Sequence, residues 1–260
     1  IGYGTFRNCS SLRSITIPQG VTEIAEGAFG DCSSLAEFKV DNNNNVYSSE
    51  DGILYDKEKK KLIQCFKGNV EDVVIPESVE SIAEDAFYGC SALKSIRFSQ
   101  NVSIIGKAAF YGCSSLAEFT VDSKNSVYAS EDGILYNKEM TKLILRPLGK
   151  TGSITIPASV TNIEDISGLQ NVEEIIVDAN NRAYAVKDGL LYNKEMTELL
   201  ICPSGKMGSI TIPSSVTYIE QYWGRFANVT DIIVDAGNNA YASKDGLLYN
   251  KEMTKLLMCP

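Results

Sequence analysis

The residue types able to do chemistry recur in this chain at fixed intervals, and the recurrence decides how each is read. There are seven cysteines and no histidine. The lack of histidine removes the commonest general base and the commonest zinc ligand together. Cys9, Cys32, Cys90 and Cys113 hold one position of a repeated unit, which Leu169 and Phe226 hold elsewhere. A position shared with leucine and phenylalanine is apolar and buried, so these thiols are expected to be packed and free, with a stray disulfide between stacked coils as the alternative. Cys65, Cys202 and Cys259 share a second position with Arg146, which puts them nearer the surface. The odd total leaves at least one thiol unpaired.

Glu50-Asp51 and Glu131-Asp132 are paired carboxylates of a kind used for acid–base catalysis. In the later copies the first partner becomes Lys187 and Lys244, and an active site is normally built once. Four copies with a partner of changing sign read as scaffold, so no catalytic residue is assigned and no enzymatic activity is expected. The turns at 41–45 and 235–239 are rich in side-chain oxygens that could hold calcium, yet they lack the dense alternating acids of a dedicated calcium loop. Asx turns that satisfy their own backbone explain the same residues, and no metal or cofactor is assigned. Tyr47, Tyr128, Tyr184 and Tyr241 form one ladder, and Tyr55, Tyr136, Tyr192 and Tyr249 a second. They read as an aromatic rib joining inserted hairpins to the body, or as contact points for a partner or a glycan.

The elements that must position these residues come from the stretch 75–98, which returns along the whole chain. Ala86, Phe87, Cys90 and Leu93 step by three and four and predict a short helix with one apolar face, preceded by Val79 and Ile82. Ile96 and Phe98 then alternate with Ser95 and Arg97, which predicts a strand. One such coil cannot cover its apolar face, so coils must stack. The steps from Cys9 to Cys32 and from Cys90 to Cys113 are equal, so coil length is constant. Later coils are worn: Val160, Ile163, Ile166, Leu169 and Val172 stand in one, and Val216, Ile219, Trp223, Phe226 and Val229 in the next. Parallel strands are expected near 14–17, 37–40, 72–75, 95–98, 118–121, 153–156, 174–177, 209–212 and 231–234, stacked in one ladder. Hairpin insertions are expected near 41–68, 122–149, 178–205 and 235–260. Each carries an Asp-Gly turn, at Asp51-Gly52, Asp132-Gly133, Asp188-Gly189 and Asp245-Gly246, where positive φ is tolerated. The reading is an α/β, β-rich solenoid forming a single domain over 1–260.

The formal net charge is −9 and the isoelectric point near 4.7. No basic patch offsets it, so nucleic acid is not an expected partner. No apolar run approaches the roughly 20 residues of a membrane span, so direct membrane insertion is not expected. The chain starts partway through a repeat and stops where a strand should follow, and is expected to be a piece of a longer protein, with any signal or anchor segment outside it. On the strands, the positions alternating away from the core form a stripe of Glu37, Asp72, Glu118, Glu174 and Asp231, interleaved with serines and partly neutralised by Lys39 and Arg97. These seven are the candidate partner-binding face. The plainer alternative is a solvated sheet whose charges discourage aggregation.

Leu12-x-x-Ile15-x-Ile17, Leu35-x-x-Phe38-x-Val40 and Leu93-x-x-Ile96-x-Phe98 fit the strand of a leucine-rich repeat. With Ala-Phe-x-x-Cys-x-x-Leu upstream and Ile-Pro-x-x-Val-x-x-Ile downstream, the unit closely resembles the BspA-like, or Treponema-type, leucine-rich repeat family. The resemblance covers essentially the whole chain. It departs from the general leucine-rich repeat by placing Pro18, Pro76, Pro157 or Pro213 straight after the strand, where the usual asparagine ladder is not seen. It implies a right-handed leucine-rich-repeat solenoid with a parallel strand ladder. It also implies a secreted or surface-attached bacterial protein, acting in adhesion to host proteins or other cells. The expectation is a monomeric, non-enzymatic module binding a host or bacterial surface protein or a glycan. The alternative is a spacer that presents another domain.

Overall fold

The period-two stretches become strands. In the computed structural model, which describes residues 1–25, 27–30, 32, 34–65, 70–220, 226 and 228–260, Ser14–Ile17 buries Ile17 while Ser14 and Thr16 face solvent. The same alternation shapes Glu37–Val40, Asp72–Val74, Ser95–Phe98, Glu118–Val121, Ile154–Ile156, Ile175–Val177, Gly208–Ile212 and Val229–Val234. These are the nine places expected. The chain divides into two compact units, Ile1–Glu139 with Pro147–Lys150, and Met140–Arg146 with Thr151–Pro260.

In the first unit Ser14–Ile17 pairs in parallel with Glu37–Val40, and Asp72–Val74, Ser95–Phe98 and Glu118–Val121 form a three-stranded set. In the second unit Ile154–Ile156 pairs with Ile175–Val177, and Gly208–Ile212 with Val229–Val234. The strands therefore run in sets of two, three, two and two rather than as one uninterrupted ladder. The cause is local. At three of the sets the turn of the following insertion takes the place of the next strand: the N–H groups of Phe38, Phe119 and Ile232 donate to the carbonyls of Gly52 (3.2 Å), Gly133 (2.9 Å) and Gly246 (2.9 Å).

The expected short helix does not form over 83–93. Its apolar residues Ala86, Phe87, Cys90 and Leu93 are buried as anticipated, but the backbone runs as successive turns closed by bonds three residues long, such as Cys90 N–H to Phe87 O (3.0 Å) and Leu93 N–H to Cys90 O (3.1 Å). Asp85 and Gly89 have φ of 55° and 68°, which no right-handed helix accommodates. The amide groups point sideways instead. Phe87 and Gly89 donate to Ala109 and Tyr111 of the next coil at 2.8 and 2.7 Å, so the segment is stitched to its neighbour. A spacing of three suits both a helix and such turns, which is why the pattern misled. Among the described residues the one α-helix is Ser167–Gln170, in a worn coil. Trp223 lies outside the described residues.

The insertions hold three strands each rather than two. In the first, Tyr47–Glu50 pairs antiparallel with Ile53–Asp56 across Asp51 (φ 49°) and Gly52 (φ 76°), the double positive φ of a type I′ turn. Ile53–Asp56 then pairs with Lys61–Gln64. That third strand joins a second parallel ladder absent from the sequence reading, Lys61–Gln64 beside Ser81–Ile82 beside Ile104–Ile105. In the second unit Lys142–Leu145 pairs likewise with Asn162–Ile163, and Glu198–Ile201 with Tyr218–Ile219. The first three insertions thus end as part of the coil they precede. Residues 66–68, the expected end of the first, lie outside the described residues.

Within the first unit a core of Ile17, Phe29, Cys32, Leu35, Phe38, Tyr47 and Leu54 joins coil to insertion. Phe6 stacks on Phe29 at 5.4 Å and Phe87 on Phe110 at 5.2 Å between ring centroids, a spacing close to that between stacked strands. The second unit packs Leu190, Tyr192, Leu199, Ile210, Ile212, Val216, Phe226 and Ile232 in the same manner.

Candidate partner-binding face

Six of the seven candidate residues lie on ladder strands and Glu174 directly precedes Ile175–Val177; Glu37 is half-buried and the others are exposed. Parallel register places equivalents side by side: Ser14 beside Glu37, Asp72 beside Ser95 beside Glu118, and Ser209 beside Asp231. A second outward row lies two residues on, with Thr16 beside Lys39, Val74 beside Arg97 beside Thr120, Thr155 beside Ile176, and Thr211 beside Ile233. Glu37 pairs with Lys39 at 3.1 Å, and Asp72 accepts a 2.5 Å hydrogen bond from Ser95. Between exposed groups such pairs contribute at most about 1 kcal/mol. Among the described residues the guanidinium of Arg97 and the carboxylate of Glu174 have no hydrogen bond or ion pair. The face therefore holds charges still able to meet a partner.

The other residues with chemical potential are engaged by the scaffold. Asp41, Asp122, Asp178 and Asp235 accept from the N–H two residues on at 2.8 to 2.9 Å, which makes Asx turns of the oxygen-rich loops. Among the described residues no cluster of three or more acids or cysteines converges. Cys32, Cys90 and Cys113 are buried thiols outside any disulfide, and Cys9 is a half-buried one. Cys113 Sγ donates to Phe87 O at 3.1 Å, and burial pushes its thiol up to about 12.

The second cysteine position is not near the surface. Cys65 and Cys202 are 2% exposed and Arg146 is 0% exposed, while Cys259 is exposed. The position sits where the third insertion strand turns into the coil, so its side chain enters the core. Arg146 is satisfied by backbone carbonyls: Gly168 O at 3.0 Å, Thr151 O at 3.4 Å and Gly152 O at 3.5 Å, with Nε unpartnered. Burial pushes its pKa down.

The two tyrosine ladders do different work, and neither stacks on itself among the described residues. The Tyr47 hydroxyl accepts from Ile24 N–H at 2.9 Å, and Tyr184 and Tyr241 meet the backbones of Ile163 and Ile219, tying insertion to coil. Tyr55, Tyr136 and Tyr192 are 0 to 2% exposed and form core, which removes them as contact points for a partner. Burial pushes the Tyr136 hydroxyl up to about 12 and raises Tyr55 and Tyr192 as well.

One set of residues escaped the sequence reading. Asn44, Asn125, Asn181 and Asn238 are 0 to 1% exposed. Each donates through Nδ2 to two carbonyls of the preceding coil; for Asn125 these are Ser99 O (2.9 Å) and Val102 O (2.8 Å). Each accepts through Oδ1 from two N–H groups of its own insertion, for Asn125 those of Val127 (2.9 Å) and Tyr128 (2.8 Å). A buried asparagine thus recurs four positions past the strand, once in each insertion. The recurring Asp-x-x-Asn-x-x-Tyr was the available signal. A lysine on the next turn adds to the clamp, with Lys57 donating to Asn44 O at 2.5 Å and Lys194 to Asn181 O at 2.6 Å.

The sequence matches the family described as "BspA type Leucine rich repeat region", in 6 copies over residues 1–65 and 64–175. The chain belongs to the BspA-type leucine-rich repeat family. No curated protein matches this BspA-type chain. Among solved structures it is similar to a leucine-rich repeat protein from Eubacterium ventriosum, at 23% identity and TM-score 0.49, covering 75% of this chain and 60% of that one. A leucine rich cell surface protein from Faecalibacterium prausnitzii matches at 22% identity and TM-score 0.44, covering 84% and 50%. The pneumococcal vaccine antigen PcpA matches at 19% identity and TM-score 0.41, covering 88% and 56%. The BspA-type chain therefore spans 50 to 60% of the length of these three proteins.

Proposed function

We propose that this chain is a non-enzymatic, extracellular protein-binding module of a bacterial surface or secreted protein. It acts in adhesion to a host or bacterial surface protein, or to a glycan, through its outward strand face. The observation that carries the reading is the division of labour among polar residues. Those that could do chemistry are engaged by the scaffold, as buried tyrosines, buried thiols and Asx-turn carboxylates. The charges at Glu37, Lys39, Asp72, Arg97, Glu118, Glu174 and Asp231 stand on the strand face. Repeat scaffolds use such faces for extended partners, and membership of the BspA-type family supports a place outside the cell.

The test is saturable binding of the chain to immobilised matrix, mucosal and bacterial surface proteins, by biolayer interferometry. The same panel is run on a variant with Glu37, Asp72, Glu118, Glu174 and Asp231 changed to serine. The proposal expects at least one saturable partner whose affinity falls in the variant. A flat response across the panel favours the spacer role, which the internal pairing of Glu37 with Lys39 and of Glu71 with Lys94 at 2.8 Å would suit.

A further inference from the structure

The ladder strands of the second unit differ from those of the first in carrying no cation. The strands Ile154–Ile156, Ile175–Val177, Gly208–Ile212 and Val229–Val234 hold neither lysine nor arginine, whereas the strands of the first unit hold Lys39 and Arg97. Where Lys39 stands two residues beyond Glu37, the second unit has Ile176 two beyond Glu174 and Ile233 two beyond Asp231. These isoleucines are 44% and 49% exposed. Their strand neighbours Thr155 and Thr211 are short and leave them standing. Among the described residues the Glu174 carboxylate makes no hydrogen bond or ion pair, and the Asp231 carboxylate accepts one bond, from Thr230 Oγ1 at 2.8 Å. A carboxylate and an aliphatic side chain thus lie two residues apart on one side of the chain, about 6.7 Å along it, twice in the second unit; Asp72 and the exposed Val74 repeat the pair in the first unit, where Arg97 stands beside Val74.

That spacing is also the same-side repeat of any extended peptide. A partner laid along the strand can set a cation on the acid and an aliphatic group on the isoleucine together. An acidic segment meets repulsion, and a wholly apolar one leaves the carboxylates desolvated and unpaired. We infer that the second unit's strand face binds an extended protein segment in which lysine or arginine alternates, two residues apart, with an aliphatic residue. This rests on the partner-binding reading and narrows it to one unit and one ligand chemistry.

The test uses the whole chain and the synthetic peptide Thr-Lys-Thr-Leu-Thr-Lys-Thr-Leu-Thr, read by fluorescence anisotropy at low and high salt. Saturable binding is expected, at least about tenfold weaker for the peptide with glutamate in place of lysine. Glu174→Gln with Asp231→Asn should weaken binding about fivefold and flatten its salt dependence. Ile176→Thr with Ile233→Thr should weaken it by a similar factor without changing the salt dependence. Lys39→Gln with Arg97→Gln, on the other unit, should change it less than about twofold. Every substituted side chain is at least about four-tenths exposed or carries a surface charge, and circular dichroism confirms that the variants fold. Equal binding of the glutamate peptide, sensitivity confined to the first unit, or no binding at millimolar peptide overturns the inference. Binding to a surface protein without binding to this peptide defeats the inference alone and leaves the module reading standing.

Discussion

Replacing Asn125 with alanine should be among the most damaging single changes available at a polar residue. Its side chain is 0% exposed and makes four hydrogen bonds, two to carbonyls of the preceding coil and two from amides of its own insertion. Alanine removes all four and supplies no substitute. The bonds to Ser99 O and Val102 O are buried, and losing their donor costs about 1 to 2 kcal/mol each. Those from Val127 and Tyr128 are half-buried and cost about 0.5 to 1 kcal/mol each, since water can reach them in part. The sum is about 3 to 6 kcal/mol, a large share of the 5 to 15 kcal/mol typical of a folded domain. Urea unfolding followed by hydrogen exchange is the assay, because repeat arrays need not unfold in one step. Exchange at residues 127 and 128 should accelerate before that of the core strands. The neighbouring exposed Lys124→Ala serves as control and should stay within about 0.5 kcal/mol. A loss below about 1 kcal/mol for Asn125→Ala, with exchange in the insertion unchanged, would refute the idea that asparagine clamps hold the insertions on.

Gly106→Ala should cost about 3 kcal/mol by thermal or urea unfolding, because a Cβ there would sit 2.2 Å from Glu84 N and 2.5 Å from Ala83 C, backbone atoms that cannot swing away. Gly20→Ala, with nothing within 4 Å, should be neutral or stabilising by up to about 1 kcal/mol. Arg146→Met should be neutral or stabilising by about 1 to 2 kcal/mol, because it removes a buried cation held by carbonyls alone, whereas Arg146→Ala should cost about 3 kcal/mol by leaving its volume empty. Alkali should weaken the fold. Cys113 and Tyr136, ordinarily near 9 and 10, are both raised to about 12 by burial, so the folded chain keeps protons that the unfolded chain loses. Their contribution is fully present below pH 9 and is lost as pH rises from 9 towards 12. Urea midpoints should therefore be flat from pH 6 to 8 and fall steadily above 9, and a flat profile to pH 11 would contradict the burial of these groups.

The sequence alone determined where the ladder strands lie, because a two-residue alternation such as Ser95-Ile96-Arg97-Phe98 has one common structural solution when its apolar half must be buried. It also determined the type I′ turns, since Asp-Gly is the dipeptide that accepts two positive φ values, and the outward direction of the seven face residues, which follows from strand parity. Tertiary structure decided the rest. The spacing of Ala86, Phe87, Cys90 and Leu93 fits a helix and a run of turns equally, and lateral bonds to the next coil selected the turns. The two-residue strands at 81–82 and 104–105 carry too little pattern to be seen and exist because a neighbouring backbone offers its edge. Arg146 looked like a surface residue by type, yet the position it shares with Cys65 and Cys202 is buried, and carbonyls of the following segment make that burial tolerable. Asn125 looked like one more polar turn residue. What it holds together is 23 to 26 residues away in sequence, and only folding brings those carbonyls within reach of one amide.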